Sequence, residues 1–144
     1  MTVVSGHGRV LVGGKAEGEV LRCTQAISGW GGIDPKTGAI VETRHPQRGS
    51  VLTGKILVIP GAKGSSGWSG QFHIAKVLGT QPAAIITSSM NSKLALGLQV
   101  LGVPALIEVD DRVHAALQDG ARARIDDGRV KVWVQGEETG DDDV

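Results

Sequence analysis

The sequence predicts an α/β fold in three layers, and three observations carry that reading. Residues 55–59 (KILVI), 83–87 (AAIIT) and 104–109 (PALIEV) are short apolar runs of the kind that form strands buried on both faces. Between them, residues 68–78 and 91–101 carry apolar side chains at helical spacing. The chain has 144 residues, enough for one domain with a real core. Alternating strands and helices form a βαβαβ unit, whose right-handed crossovers place helices on at least one face of the parallel strands.

The first sixty residues read as β-structure wrapped onto that unit. Residues 10–12 and 18–22 are short apolar or alternating runs joined by Gly13-Gly14-Lys15, a hairpin signal. A long loop dense in turn residues follows from Ser28 to Gly38. Residues 39–42 form a short strand, Arg44-His45-Pro46 returns to loop, and the 55–59 strand ends at Pro60. Residues 60–67 are a glycine- and serine-rich turn into the first helix, where Trp68, Phe72, Ala75 and Leu78 form the buried stripe. In the second helix Leu94, Leu98 and Leu101 share a face, and Gly102 stops it. Residues 110–117 are a short helix capped by Asp110 or Asp111. Residues 121–126 and 129–135 pair around an Asp127-Gly128 turn. Residues 1–135 therefore make one domain, and 136–144 an acidic tail with nothing to bury, expected to be disordered.

Fifteen basic and fifteen acidic residues balance, but five of the acids (Glu137, Glu138, Asp141, Asp142, Asp143) fall in the last eight positions. The rest of the chain carries a surplus of only five positive charges with no Lys/Arg cluster, which gives no electrostatic reason to expect nucleic-acid binding. Four aromatic residues are too few for a single-strand stacking platform. One cysteine, Cys23, excludes an intramolecular disulfide framework or a multi-cysteine metal cage built by this chain alone. It reads as a small buried apolar residue. No apolar run approaches eighteen residues and no signal-peptide layout opens the sequence, so the expectation is a soluble cytoplasmic protein without a membrane partner.

Glycine is the anomaly, at 22 residues about twice the usual ~7%. The densest groups are Gly29, Gly31, Gly32 and Gly61, Gly64, Gly67, Gly70. The second group joins the end of a buried strand to the start of a helix, where ligands collect in α/β proteins. Free N–H groups at a helix start favour an anion or a developing oxyanion. Three hydroxyls (Ser65, Ser66, Ser69) lie within five residues there, with Lys63 just upstream. A purely structural use, with Ser65 or Ser66 capping the helix, serves the same residues equally well. A P-loop is excluded because nothing basic follows Ser65, and the dinucleotide fingerprint because the spacing is G-x-x-G-x-x-G.

Several motifs in order, Ala16-Glu17-Gly18-Glu19, residues 31–38 (GGIDPKTG), His45-Pro46, residues 54–60 (GKILVIP) and Gly64-Ser65-Ser66, resemble the small subunit of aconitase X. The resemblance spans about residues 8–110. It implies the swivelling β/β/α domain that corresponds to domain 4 of aconitases, and a hydro-lyase active only with a large subunit. That subunit is expected to hold an iron–sulfur cluster, whose metal polarises the departing hydroxyl, and much of the pocket for a hydroxy-acid substrate. Carried over residue by residue, the catalytic serine base is Ser65, with Gly64, Ser66, Gly67 and Lys63 about the substrate or oxyanion. The arginine of the aconitase loop falls at Gly67, so its role does not transfer, and Trp68 is bulkier than the small residues common there.

Trp30, Gly31, Gly32, Asp34, Arg44 and His45 are candidates for an interface or substrate loop. Trp30 suits an interface anchor or packing under its loop, Asp34 a turn before Pro35, and Arg44 and His45 a surface loop. His73 falls on the less apolar side of its helix, and His7 and His114 have no partner at useful spacing. Residues 101–105 (LGVPA) also resemble mobile phosphohistidine domains, but the position expected for the phosphocarrier histidine is Lys93. A non-catalytic binding module is the third reading. For substrate, the composition favours cis-3-hydroxy-L-proline over mevalonate 5-phosphate, while residues 87–93 (TSSMNSK) depart from the acidic segment associated with either group.

Overall fold

The computed structural model describes residues 2–28, 32–63 and 68–134. Four strands, β3 (Lys15–Arg22), β7 (Ile56–Ile59), β9 (Ala84–Thr87) and β10 (Ala105–Ile107), run parallel side by side and carry the architecture. Beyond β3 the sheet continues antiparallel through β11 (Arg122–Asp126), β12 (Arg129–Val134) and β1 (Thr2–His7). Beyond β10 it ends in β2 (Arg9–Val12).

Alternation along the central strands divides the core in two. Leu57, Ile59, Ile85 and Ala105 face one side and pack under α1 (Trp68–Leu78) and α2 (Ser92–Leu101). Ile56, Val58, Ala84, Ile86 and Leu106 face the other, against Ala123, Ile125, Val130 and Val132 of the curled antiparallel arm and Val113 of α3 (Asp111–Ala116). Two faces buried by different layers explain why these strands read as unbroken apolar runs. The result is the three-layer β/β/α arrangement expected.

β1 and β2 are separated by Gly8 alone, yet they stand at opposite ends of the strand order. The eight strands therefore curl round so that one chain segment supplies both edges. Gly8 forms the corner: its N–H donates to the Gly128 carbonyl at 2.9 Å, and a Cβ there would lie 2.8 Å from Val109 Cγ2. The Gly13-Gly14-Lys15 signal is accordingly not a hairpin. β2 pairs with β10 and β3 with β7 and β11, each finding a better-buried neighbour than the other. The corner is instead latched to the Asp127 turn, with Gly14 N–H donating to Asp127 Oδ1 and Asp127 N–H to the Gly14 carbonyl, both at 2.8 Å.

Both long helices form where their spacing places them. In α1, Trp68, Phe72 and Ala75 are buried, but Leu78 is 52% exposed because the helix ends there, ahead of Gly79 at φ 76°. Asn91 caps α2 by accepting the Leu94 N–H at 2.8 Å, and Gly102 closes it at φ 73°. α1 and α2 meet at Gly97, where a Cβ would stand 3.0 Å from Trp68 Cβ. Asp110 occupies the N-cap position of α3 without capping it, since its carboxylate accepts the His7 N–H at 2.8 Å. The acidic tail, residues 136–144, lies outside the described residues.

Candidate active-site edge

The C-terminal ends of the parallel strands form one edge, and the segment leading to Ser65 leaves from it after β7. Pro60 ends that strand, and its carbonyl accepts from Ser89 Oγ at 2.9 Å. Ala62 and Lys63 are not free turn as the sequence suggested. They form β8 (Ala62–Lys63), paired in parallel with β4 (Ile27–Ser28). Asn91, while capping α2, also donates through Nδ2 to the Ala62 carbonyl at 3.3 Å. On the far side of residues 64–67, α1 starts at fully buried Trp68, whose ring lies 5.0 Å from that of Phe72.

Ser65, Gly64, Ser66 and Gly67 lie outside the described residues, but both of their flanks are fixed. Downstream are the first-turn N–H groups of α1, with no acidic side chain in that turn. Upstream, Lys63 does not stand as a free cation: its Nζ pairs with the Glu42 carboxylate, which also accepts the Ser28 N–H at 2.7 Å. Burial alone would raise the Glu42 carboxyl, but the hydrogen bonds from Lys63 and Ser28 and the charges of Lys63 and His45 outweigh it and hold it below the usual value. Glu42 thus ties β4, β8 and its own loop together. A separation of 21 residues from Lys63 leaves no local pattern in the sequence that would have found it.

The other candidates separate. Trp30 and Gly31 lie outside the described residues. Gly32 is buried against the Ser28 carbonyl with no room for a side chain, and its own carbonyl accepts the Val41 N–H at 2.9 Å. Asp34, in β5 (Ile33–Asp34), accepts the Lys36 N–H through Oδ1 at 2.9 Å and forms a turn that returns the chain to β6 (Ala39–Ile40). That matches the turn role expected before Pro35. His45 is only 5% exposed although Arg44 and Pro46 beside it are exposed, so its side chain is tucked under a surface loop. Its Nδ1 accepts the Gln47 N–H at 3.1 Å, which leaves Nε2 to donate to the Gln25 carbonyl at 3.0 Å and occupies both ring nitrogens. Arg44 is exposed at φ 67°.

His114 does find a partner, 92 residues away. Arg22 NH2 lies 3.2 Å from its Nδ1, and Ser88 Oγ 3.3 Å from its Nε2. Cys23 is buried, and its thiol is pushed up to about 12 by burial and by the nearby Asp119 charge. Among the described residues no three His, Cys, Asp or Glu side chains converge on a metal position. The ligand chemistry of an iron–sulfur cluster is therefore not offered by these residues. No helix among them is long and apolar enough to cross a membrane.

A β/β/α domain that presents a glycine–serine segment between two fixed flanks is the architecture of a swivel domain. The family model described as aconitase X swivel domain matches residues 5–134, and the chain belongs to that family. The phosphomevalonate dehydratase small subunit of Thermococcus gammatolerans is 38% identical over 128 residues, covering 88% of this chain and 95% of that protein. Its counterpart in Methanothermobacter thermautotrophicus is 36% identical over 125 residues, covering 86% and 95%. The crystal structure of Thermococcus kodakaraensis aconitase X in its holo-form superposes with a TM-score of 0.83 at 35% identity, covering 90% of this chain and 98% of that one. The relatives are by name small subunits of a dehydratase, which agrees with the expected hydro-lyase class and large-subunit partner.

Proposed function

We propose that this chain is the small subunit of a phosphomevalonate dehydratase, working as a heterodimer with an aconitase X large subunit. The observation that carries the reading is end-to-end similarity to subunits of that name, over 95% of the relatives' own length. It favours mevalonate 5-phosphate over cis-3-hydroxy-L-proline, towards which composition leans. Residues 1–135 form the working domain in this reading, and the family match over 5–134 supports that extent.

Ser65 acts as general base, taking the proton from the carbon next to the substrate carboxylate. The bond to the departing hydroxyl breaks as the carbon–carbon double bond forms, and proton and hydroxide leave as water. A serine oxygen is a weak base unless negative charge on it is stabilised. The first-turn N–H groups of α1 supply fixed dipoles for that purpose. Lys63 contributes position more than charge, since Glu42 neutralises it. The iron–sulfur cluster implied by the resemblance is assigned to the large subunit.

The test is coexpression with the large subunit and assay of both substrates. Loss of mevalonate 5-phosphate, followed by phosphorus NMR, is expected, and Ser65→Ala should lower kcat by about 10²–10⁴. Ser66→Ala should cost less. Turnover of cis-3-hydroxy-L-proline alone, or equal losses at the two serines, would overturn the substrate or the base respectively.

A further inference from the structure

On the α3 side of the same strand edge, a cleft of about 230 Å³ is lined by Arg22, Thr24, Pro60, Ser88 and His114. Pro60 is where the segment to Ser65 begins. Arg22 is partly buried, and among the described residues no carboxylate forms an ion pair with its guanidinium. Through NH1 it donates to the His114 and Leu117 carbonyls at 2.7 and 2.8 Å, closing the end of α3.

The remaining contacts form a directed chain. A guanidinium only donates, so at 3.2 Å His114 Nδ1 must be the acceptor. The neutral ring then carries its proton on Nε2 and donates to Ser88 Oγ at 3.3 Å. With its oxygen accepting from His114, the Ser88 hydroxyl keeps its own proton to donate, and no acceptor for it is present among the described residues. Arg22 to His114 to Ser88 is thus a series of donors that starts at a cation and ends on an exposed hydroxyl. An anionic oxygen is the acceptor that gains most by replacing water at the end of such a series.

We infer that this cleft is an anion subsite that takes the phosphoryl group of the substrate, an assignment resting on the phosphomevalonate reading. The charges around it are mixed. Asp111 and Glu108 line a neighbouring cleft that shares Ser88 and His114 with this one, and Asp119 accepts the Arg22 backbone N–H at 3.0 Å. These carboxylates oppose an anion and weaken its binding. Cys23 adds no charge, because its thiol stays protonated.

The experiment begins with the 144-residue chain and inorganic phosphate, followed by NMR of the His114 ring and the Ser88 amide at pH 7.5. Saturable shifts with Kd on the order of 1 mM are expected, weakened about tenfold by Ser88→Ala, an exposed change that leaves the core intact. No shift up to about 50 mM phosphate, or shifts unaltered in Ser88→Ala, would overturn the subsite. Acetate serves as the carboxylate arm, and equal binding of acetate would overturn the preference for phosphoryl. In the assembled enzyme Ser88→Ala should raise KM for mevalonate 5-phosphate about tenfold while kcat changes less than about twofold. An unchanged KM beside intact phosphate binding would overturn the substrate assignment. If the wild-type enzyme does not turn over mevalonate 5-phosphate although the chain binds phosphate, the proposed function fails and the subsite stands.

Discussion

Replacing Glu42 with glutamine tests how the segment before Ser65 is held. The substitution keeps the shape and one amide oxygen for the Ser28 N–H, and it removes the charge that pairs with Lys63. A hydrogen bond to a charged group contributes about 1.5–3 kcal/mol and a neutral one about 0.5–1.5, so the Ser28 contact loses about 1 kcal/mol. The Lys63 contact is discounted further, because that side chain is 52% exposed and solvates readily once released, while Glu42 is only 14% exposed. About 0.2–1 kcal/mol is the range for such a half-exposed pair. The total, about 1–2 kcal/mol, corresponds to a drop in Tm of about 3–7 °C for a domain of this size, read by scanning calorimetry at pH 7. Because the Glu42 carboxyl is held below its ordinary value of 4.5, its stabilisation is present above pH 4.5 and is lost as pH falls through the lower folded value. The wild type and Glu42→Gln should therefore converge towards pH 3. A Tm unchanged at pH 7, or a difference that persists undiminished at pH 3, would refute the reasoning.

Three further outcomes follow from the packing and the buried groups. Gly97→Val forces side-chain atoms into Trp68 and Phe72 and should lower stability by about 2–3 kcal/mol, seen as an earlier urea midpoint; an unmoved midpoint would mean that α1 can shift away. Cys23, with its thiol near 12, should react with a disulfide reagent more than about a hundredfold slower than a free cysteine at pH 8, and at full speed only in denaturant. Burial, assisted by the Arg22 charge and opposed by Asp111, holds His114 below its ordinary 6.5. Its contribution is thus complete above pH 6.5 and falls as pH drops through the folded value. Urea midpoints should decline more steeply below pH 6.5 for the wild type than for His114→Gln, and parallel declines would count against it.

What was legible in the sequence was whatever rests on neighbours along the chain. Gly102 at φ 73° ends α2 where the leucine spacing stops, and Asp127 at φ 49° turns β11 into β12. The central strands were legible because two-sided burial leaves them uniformly apolar. Long-range choices were not. β1 pairs with β12 across nearly the whole chain, and nothing local separates its alternation from that of a loop. Gly13-Gly14 satisfies a hairpin pattern, but the partners of β2 and β3 are decided by burial elsewhere. β4 and β8, at two residues each, are too short for any periodicity. At the candidate site, the glycine–serine segment was recognisable from its composition. Glu42 and the Arg22–His114–Ser88 chain exist only once the strands bring them together. The burial of the His45 side chain within its exposed loop was not legible, because its contacts with Gln25 and Gln47 leave no local pattern.

The pairing of β4 with β8 has a consequence for change in this protein. The two strands run the same way, so the chain leaves towards Trp30 and towards Ser65 from the two ends of a single rung, the Ser28–Lys63 pair. That rung is a common anchor for the two segments. Either segment can be re-sequenced or lengthened without relocating the other's point of departure, whereas an altered rung would misalign both together.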